Sequence, residues 1–181
     1  MLRYLTRNMI RKFGRHYDYD VSYMLYMLET TPDVMTPFNA LSKLAGYRKT
    51  VPMNAHMAAS VLGVLHEDCG PCTQLTVDMA REAGVAPDQI EAVLNGNNAA
   101  MAKDTALAYR FASAIINRSS DEDAARQAVR DAYGDAAVIE LTLATQVVRV
   151  FPMVKAGLGY AKSGQRVSIG DREVTFVKEA A

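Results

Sequence analysis

Residues 66–80 read HEDCGPCTQLTVDMA, and this segment holds both cysteines of the 181-residue chain, Cys69 and Cys72. The apolar residues that follow the first cysteine recur at helical spacing, which predicts an amphipathic helix. Asp68 is a favourable N-cap residue for such a helix. We therefore predict a helix that runs from Cys69 to Glu82, with Cys69 in the first position and Cys72 one turn later.

The spacing of the two cysteines favours redox chemistry. Side chains three residues apart lie on one face of a helix, so the two sulfurs can close a disulfide. The unpaired N–H groups at a helix N-terminus also favour the thiolate, which is the nucleophile in disulfide exchange and in attack on peroxide. A metal site formed by His66, Cys69 and Cys72 is a second interpretation, although tetrahedral zinc needs a fourth ligand. Inert burial of the thiols is a third.

Helical spacing also dominates the rest of the chain, so we predict an all-α body. The predicted helices cover residues 2–17, 21–29, 37–45, 54–65, 69–82, 87–94, 103–117, 121–133 and 136–160. Pro152 is expected to kink or break the last of these helices. Residues 166–177 alternate in polarity around Gly170-Asp171, which is typical of a β-hairpin.

Length and composition indicate one soluble domain. A chain of 181 residues can bury a core without covalent staples. We divide it into an N-terminal helical extension (1–34), a core (35–160) and a hairpin tail (161–181). The formal net charge is zero, so bulk charge gives no reason to expect a nucleic-acid partner. No apolar run approaches the ~20 residues of a membrane span, and we expect none.

The N-terminal segment carries Arg3, Arg7, Arg11 and Arg15 at intervals of four residues. It lacks the apolar h-region of a secretory signal, so we expect a cytoplasmic protein. A basic helix of this kind can lie on an anionic membrane surface. Because its apolar face is short and contains no Trp, we favour a solvated basic face, or one that pairs with acidic residues of a neighbouring subunit.

Cys-Gly-Pro-Cys is the motif sequence found in thioredoxins. The βαβ unit that surrounds the cysteine pair of a thioredoxin is missing here. The pair is instead preceded by a helix and followed by Asp78-Met-Ala-Arg-Glu-Ala-Gly-Val85 and Pro87-Asp-Gln-Ile-Glu-Ala-Val-Leu94. In this the chain resembles the alkylhydroperoxidase D-like branch of the carboxymuconolactone decarboxylase family. The resemblance continues more weakly through residues 106–114 and 136–160, and so covers residues 35–160.

The resemblance implies an alkylhydroperoxidase D-like helical bundle that assembles as a homo-oligomer, a trimer or a hexamer. It also implies a thiol-dependent peroxidase or disulfide oxidoreductase that uses no metal and no organic cofactor. The substrate would be a small peroxide or disulfide, and an external thiol reductant would restore the enzyme. The resemblance favours Cys72 as the attacking thiol, whereas the helix dipole favours Cys69.

The chain departs from the family pattern at the proton relay. The family has a His four residues after the second cysteine and a Glu twelve residues before the first, and here these positions hold Thr76 and Met57. The neighbouring residues His66, Glu67 and Asp68, or His56 from the preceding helix, are possible substitutes for the missing base. The candidate catalytic residues are Cys69, Cys72, His66 and Glu67.

Two other functions remain open at this point. The chain can be a non-enzymatic oligomer that senses redox state or binds a partner on the same fold. It can also be a lactone decarboxylase-type enzyme that uses no thiol, although the two cysteines argue against that function.

Overall fold

The computed structural model describes residues 2–164 and 166–175. The helices in these ranges are α1 (Leu2–His16), α2 (Ser22–Thr30), α3 (Met35–Ala45), α4 (Met53–His66), α5 (Gly70–Glu82), α6 (Pro87–Leu94), α7 (Lys103–Asn117), α8 (Glu122–Tyr133) and α9 (Asp135–Gly157). Two strands follow, β1 (Arg166–Ile169) and β2 (Arg172–Thr175). The predicted all-α fold with a short C-terminal β-hairpin is confirmed. The last two residues of the predicted hairpin, Phe176 and Val177, lie outside the described residues.

The pair α4 and α9 forms the centre of the molecule. Helix α4 packs against α9 and also against α5, α6 and α7. Gly63 brings α4 and α9 close together, because a Cβ at this position would lie 2.4 Å from the carbonyl oxygen of Thr145. The main hydrophobic core surrounds this contact and includes Val61, Phe111 and Leu141. The cysteine helix α5 therefore packs against one of the two central helices.

A second hydrophobic cluster joins α1, α2 and α3 to the end of α9. Its aromatic members meet edge to face, among them Tyr23 with Phe38 and Phe38 with Phe151. This cluster places the loop between α1 and α2 next to the C-terminal half of α9. The division of the chain at residues 34 and 160 stays a prediction.

Two of the four regularly spaced arginines of α1 are paired within the chain. The guanidinium of Arg7 lies 3.0 Å from the carboxylate of Glu29, and that of Arg3 donates to the Glu29 backbone carbonyl at 3.2 Å. Along the predicted apolar face of α1, Ile10 is buried but Leu5 and Met9 are exposed. The helix therefore packs through only part of that face.

Helix α9 continues through Pro152, so the expected break is absent. A proline inside a helix removes one backbone hydrogen bond, yet α9 stays continuous and packs against α3 and α4. By length and composition alone α9 is apolar enough to span a membrane. Its charged side chains nevertheless contact the protein, since Glu140 accepts from the backbone at Thr50 and Arg149 pairs with Glu67. These two charged side chains of α9 are therefore paired within the chain.

The C-terminal segment crosses the start of α5. After α9, residues 158–164, here called the strap, reach Gly70, whose N–H donates to the Lys162 carbonyl at 3.1 Å. A Cβ on Gly70 would lie 2.9 Å from the Cα of Gly164, so the two chain segments are in direct contact. The hairpin then packs on α5, where the Gln74 side-chain amide exchanges two hydrogen bonds with the Ser168 backbone.

Candidate redox site

The two cysteines form a disulfide, with a Cα–Cα distance of 5.2 Å. Both sulfurs are buried, with Cys69 1% and Cys72 4% exposed, and they pack against Val64 of α4 and Val148 of α9. The prediction that the two side chains share one helical face and can bridge is confirmed. The predicted cap is wrong, because Cys69 is the N-cap residue and α5 begins at Gly70. Asp68 adopts a left-handed conformation with φ of 50°, which Asp tolerates, and this turns the chain from α4 into α5.

The N-terminus of α5 offers fewer amide donors than a typical helix. The N–H of Gly70 is donated to Lys162, and Pro71 has no N–H to donate. The side chain of Cys69, the capping residue, accepts no hydrogen bond from these first residues of α5. The expected stabilisation of a Cys69 thiolate by the helix terminus is correspondingly small.

A tyrosine from the N-terminal region contacts the second sulfur. The hydroxyl of Tyr19, in the loop between α1 and α2, lies 3.7 Å from the Sγ of Cys72. Because a disulfide sulfur carries no hydrogen, the hydroxyl is the donor. The ring of Tyr19 is buried and meets the rings of Phe13 and Tyr23 edge to face.

A lysine lies behind this tyrosine. The ammonium of Lys155 on α9 lies 4.3 Å from the ring centroid of Tyr19 and 5.5 Å from that of Tyr23. The side chain of Lys155 is only 1% exposed. Burial lowers the pKa of Lys155, Asp20 opposes this effect, and Lys162 adds to it. Lys155 is thus a buried cation in contact with two tyrosine rings.

The protonation state of Tyr19 limits what it can do. Burial, with further contributions from Tyr23 and Asp20, raises the pKa of Tyr19 far above its ordinary value. The hydroxyl therefore keeps its proton at physiological pH and cannot serve as a general base. It can serve as a hydrogen-bond donor to sulfur.

Glu67 is engaged by an arginine. Its carboxylate lies 2.5 Å from the Nε of Arg149 on α9, and Arg149 also donates to the Gln146 side chain at 2.8 Å. This pair connects the loop before the disulfide to the central helix. A catalytic role for Glu67 stays a prediction.

The other proposed substitutes for the relay lie in different surroundings. His66 is the half-buried last residue of α4, three positions before Cys69, and its role stays a prediction. His56 lies in the first turn of α4, about 12 Å along the helix axis from the Val64 that contacts the disulfide. Thr76 donates to the Cys72 backbone carbonyl at 3.0 Å, so its hydroxyl bonds back onto its own helix.

The metal interpretation gains no support from the geometry. Within residues 2–164 and 166–175, no group of three His, Cys, Asp or Glu side chains is arranged to hold a metal ion. The two cysteines that it requires are bonded to each other.

Comparison of the chain with protein-family models, with curated proteins and with solved structures finds no match. The family resemblance therefore rests on the residues quoted above alone.

Three residues at this site were missed by sequence reasoning, namely Tyr19, Arg149 and Lys155. Tyr19 follows a polar stretch at the end of α1, where a tyrosine gives no sign of a role at a sulfur 53 positions away. The two cations interrupt an apolar run in α9, and this interruption was the one available signal. A charged side chain in a long apolar segment is rarely buried unless it is paired.

Proposed function

We propose that this chain is a thiol-dependent peroxidase or disulfide oxidoreductase that acts through Cys69 and Cys72. The observation that carries the proposal is the disulfide between these two residues at the start of α5. In a reducing compartment such as the cytoplasm, which we propose as its location, protein disulfides are usually transient and catalytic or redox-sensing. No metal or organic cofactor is needed for this chemistry.

The peroxidase cycle uses both sulfurs. One cysteine thiolate attacks the peroxide, an S–O bond forms, the O–O bond breaks, and the alcohol leaves with a proton. The resulting sulfenic acid is attacked by the other cysteine, water leaves, and the observed disulfide forms. With a disulfide substrate the thiolate forms a mixed disulfide, and the second cysteine releases the other half of the substrate. An external dithiol then reduces the pair and is itself oxidised.

Serine substitutions test this proposal. The double variant Cys69→Ser/Cys72→Ser is expected to lose peroxide and disulfide reduction completely, because neither the nucleophile nor the resolving thiol remains. Each single variant is expected to lose turnover but to react once with substrate through its remaining thiol. Activity assays with an artificial dithiol, together with mass spectrometry, measure both effects.

The wild-type chain provides the control. Treatment of the reduced protein with one equivalent of peroxide is expected to remove two hydrogens and to link Cys69 to Cys72. If the double variant reduces peroxide and disulfides as fast as the wild type, the proposal is wrong.

Redox sensing without turnover is a second candidate function. The burial of both sulfurs favours it, because substrate access requires part of the chain to move. A sensor would form the disulfide once and would show no multiple turnover with excess dithiol. The same peroxide assay, run for many turnovers, separates the two functions.

We also propose that the chain forms a homo-oligomer, a trimer or a hexamer. The exposed apolar side chains Leu5 and Met9 of α1, with Ile139 and Met153 of α9, support this assembly. Sedimentation equilibrium is expected to give a mass three or six times that of the chain. Replacing Ile139 and Met153 by Glu is expected to reduce that mass if α9 contributes to the interface, and Leu5→Glu/Met9→Glu tests α1 in the same way. A monomer of the wild-type chain would contradict this prediction.

A further inference from the structure

We propose that Tyr19 is the catalytic hydrogen-bond donor that stabilises Cys72 as a thiolate, and that Lys155 is the positioning cation behind its ring. The inference rests on the proposed function and identifies the groups that activate its thiol. Neither residue comes from the positions of the missing relay, which are occupied by Thr76 and Met57.

The geometry selects one sulfur. The Tyr19 hydroxyl lies 3.7 Å from the Sγ of Cys72, and it also makes a hydrogen bond with the side chain of Tyr23. When the S–S bond breaks with Cys72 as the leaving group, the electron pair stays on a buried sulfur that already faces a donor. Hydrogen bonds to an ionised acceptor are stronger than neutral ones, and burial strengthens them further. Cys72 is therefore the sulfur that carries the charge.

The hydroxyl is held in place by the packing of its ring. Phe13 and Tyr23 meet the ring edge to face, with centroids 6.2 and 6.5 Å away. The ammonium of Lys155 occupies a position 4.3 Å from the ring centroid. A cation against a phenol ring is attracted by its π electrons and makes the hydroxyl a stronger donor.

The charges around Tyr19 come from several elements of the fold. Asp20 and Tyr23 come from α2 and the loop before it, Lys155 from α9, and Lys162 from the strap. Lys162 acts on Lys155, and Lys155 is the cation that contacts the Tyr19 ring. Positive charge near a thiol favours its thiolate. Cys72 therefore has stabilising groups beside it. Cys69, in contrast, has few amide donors at the start of α5.

The assignment of Cys72 as the charged sulfur fixes the order of the reaction steps. The Cys72 thiolate attacks the peroxide oxygen, the O–O bond breaks, and the alcohol leaves with a proton from solvent. Cys69 then attacks the Cys72 sulfenic acid and water leaves. In the return step a thiolate of an external dithiol attacks Cys69, and Cys72 leaves with the electron pair beside Tyr19. The second thiol of the dithiol attacks the mixed disulfide, releases Cys69, and the dithiol departs as a disulfide.

Titration of single thiols tests the role of Tyr19. In the Cys69→Ser chain, Cys72 is the sole thiol, and its ionisation can be followed by the ultraviolet absorbance of the thiolate. Tyr19→Phe keeps the ring and removes the hydroxyl. We expect it to raise the pKa of Cys72 by about one unit, which lowers the thiolate fraction about tenfold at pH values below that pKa. Tyr26→Phe, which removes a hydroxyl from α2, is the control and should cause no shift.

The reciprocal background shows whether the effect is specific. In the Cys72→Ser chain, Tyr19→Phe is expected to leave the pKa of Cys69 unchanged. An unchanged pKa of Cys72, or equal shifts of both thiols, would overturn the inference. The measurement needs no turnover, so the inference and the proposed function can fail separately.

Substitution of Lys155 tests the cation. Lys155→Met keeps most of the apolar stem and is expected to raise the pKa of Cys72 in the Cys69→Ser chain. Lys155→Arg keeps the charge and is expected to restore the wild-type titration in large part. Equal shifts in the Met and Arg variants, with native circular dichroism in both, would show that the charge of Lys155 plays no part.

Discussion

Replacement of Glu140 by Gln is expected to lower the free energy of unfolding by about 3 kcal/mol. The Glu140 side chain is 1% exposed and accepts from the backbone N–H of Thr50 through both oxygens, and from that of Val51, each at 3.0 Å. A glutamine would turn an NH₂ group toward these donors and leave at least one of them unpaired. Urea unfolding at pH 7, followed by circular dichroism, measures the loss.

Glu122→Gln is the matched control. Glu122 pairs with Arg126 one turn along α8 at 3.5 Å, on a partly exposed surface. Pairs of this kind contribute little, so the change in unfolding free energy should stay within about 0.5 kcal/mol. Similar losses in both variants would show that the contacts of Glu140 have no special weight.

The hydrogen bonds of Glu140 also predict how the free energy of unfolding depends on pH. Burial raises the pKa of Glu140, but the backbone N–H groups of Val51, Thr50 and Lys49 outweigh it, so the pKa lies below its usual value. This contribution to stability is complete above the unfolded pKa, about 4.3, and is lost as pH falls through the folded value. In Glu140→Gln this acid-dependent part should disappear. Urea midpoints measured between pH 3 and pH 8 test it.

We expect His56 to make the free energy of unfolding depend on pH at higher pH values than Glu140 does. Burial and the charge of Arg48 lower the pKa of His56, and Glu140 partly opposes this. The unfolded chain therefore binds a proton more readily than the folded one below the ordinary histidine pKa of about 6.5. Stability should begin to fall below that pH, and His56→Gln should remove this early phase. A wild-type stability that stays flat between pH 6.5 and pH 5 would contradict the assignment.

Gly63→Ala is expected to lower the free energy of unfolding by about 2–3 kcal/mol. The added methyl carbon would lie 2.4 Å from the Thr145 carbonyl oxygen and 2.9 Å from the Cγ2 of Val148. The first of these atoms belongs to the backbone, so α4 and α9 must move apart. Since Val148 also packs on the disulfide, the same change should raise the exposure of Cys69 and Cys72 to thiol reagents.

Gly157→Ala provides the matched control for this substitution. Gly157 is also helical, but a Cβ there would have no neighbour within 4 Å. The substitution should be neutral or should stabilise the chain by up to about 1 kcal/mol, because alanine favours the helix. Thermal unfolding of the two variants gives the comparison. Equal effects would show that the close approach of α4 and α9 at Gly63 is not restrictive.

The secondary structure could be predicted from the sequence because its signals are local. The apolar period marks the helices, and Gly84 ends α5 with φ of 86°, where a residue with a Cβ would be strained. The disulfide was predictable for the same reason, since Cys69 and Cys72 are neighbours on one helix. At the cysteines the predicted first position of α5 was wrong, because Asp68 turns the chain instead of capping the helix.

The surroundings of the sulfurs could not be predicted in this way. Tyr19 and Lys155 come from distant parts of the chain, and their meeting depends on how the aromatic cluster packs against α9. Glu67 was a candidate base from its position alone, whereas its partner Arg149 is 82 residues away. Contacts that depend on tertiary packing produce neither a periodic pattern nor a local residue spacing by which the sequence could reveal them.

The contact between Gly70 and Gly164 has a kinetic consequence. Both sulfurs are almost fully buried, and the strap lies on the residue that follows Cys69. We therefore predict that a protein-sized reductant reaches Cys69 only after the strap moves away from Gly70. At low concentration its rate of reaction should rise in proportion to its amount. At high concentration the rate should reach a ceiling that equals the opening rate of the strap and is the same for every large reductant.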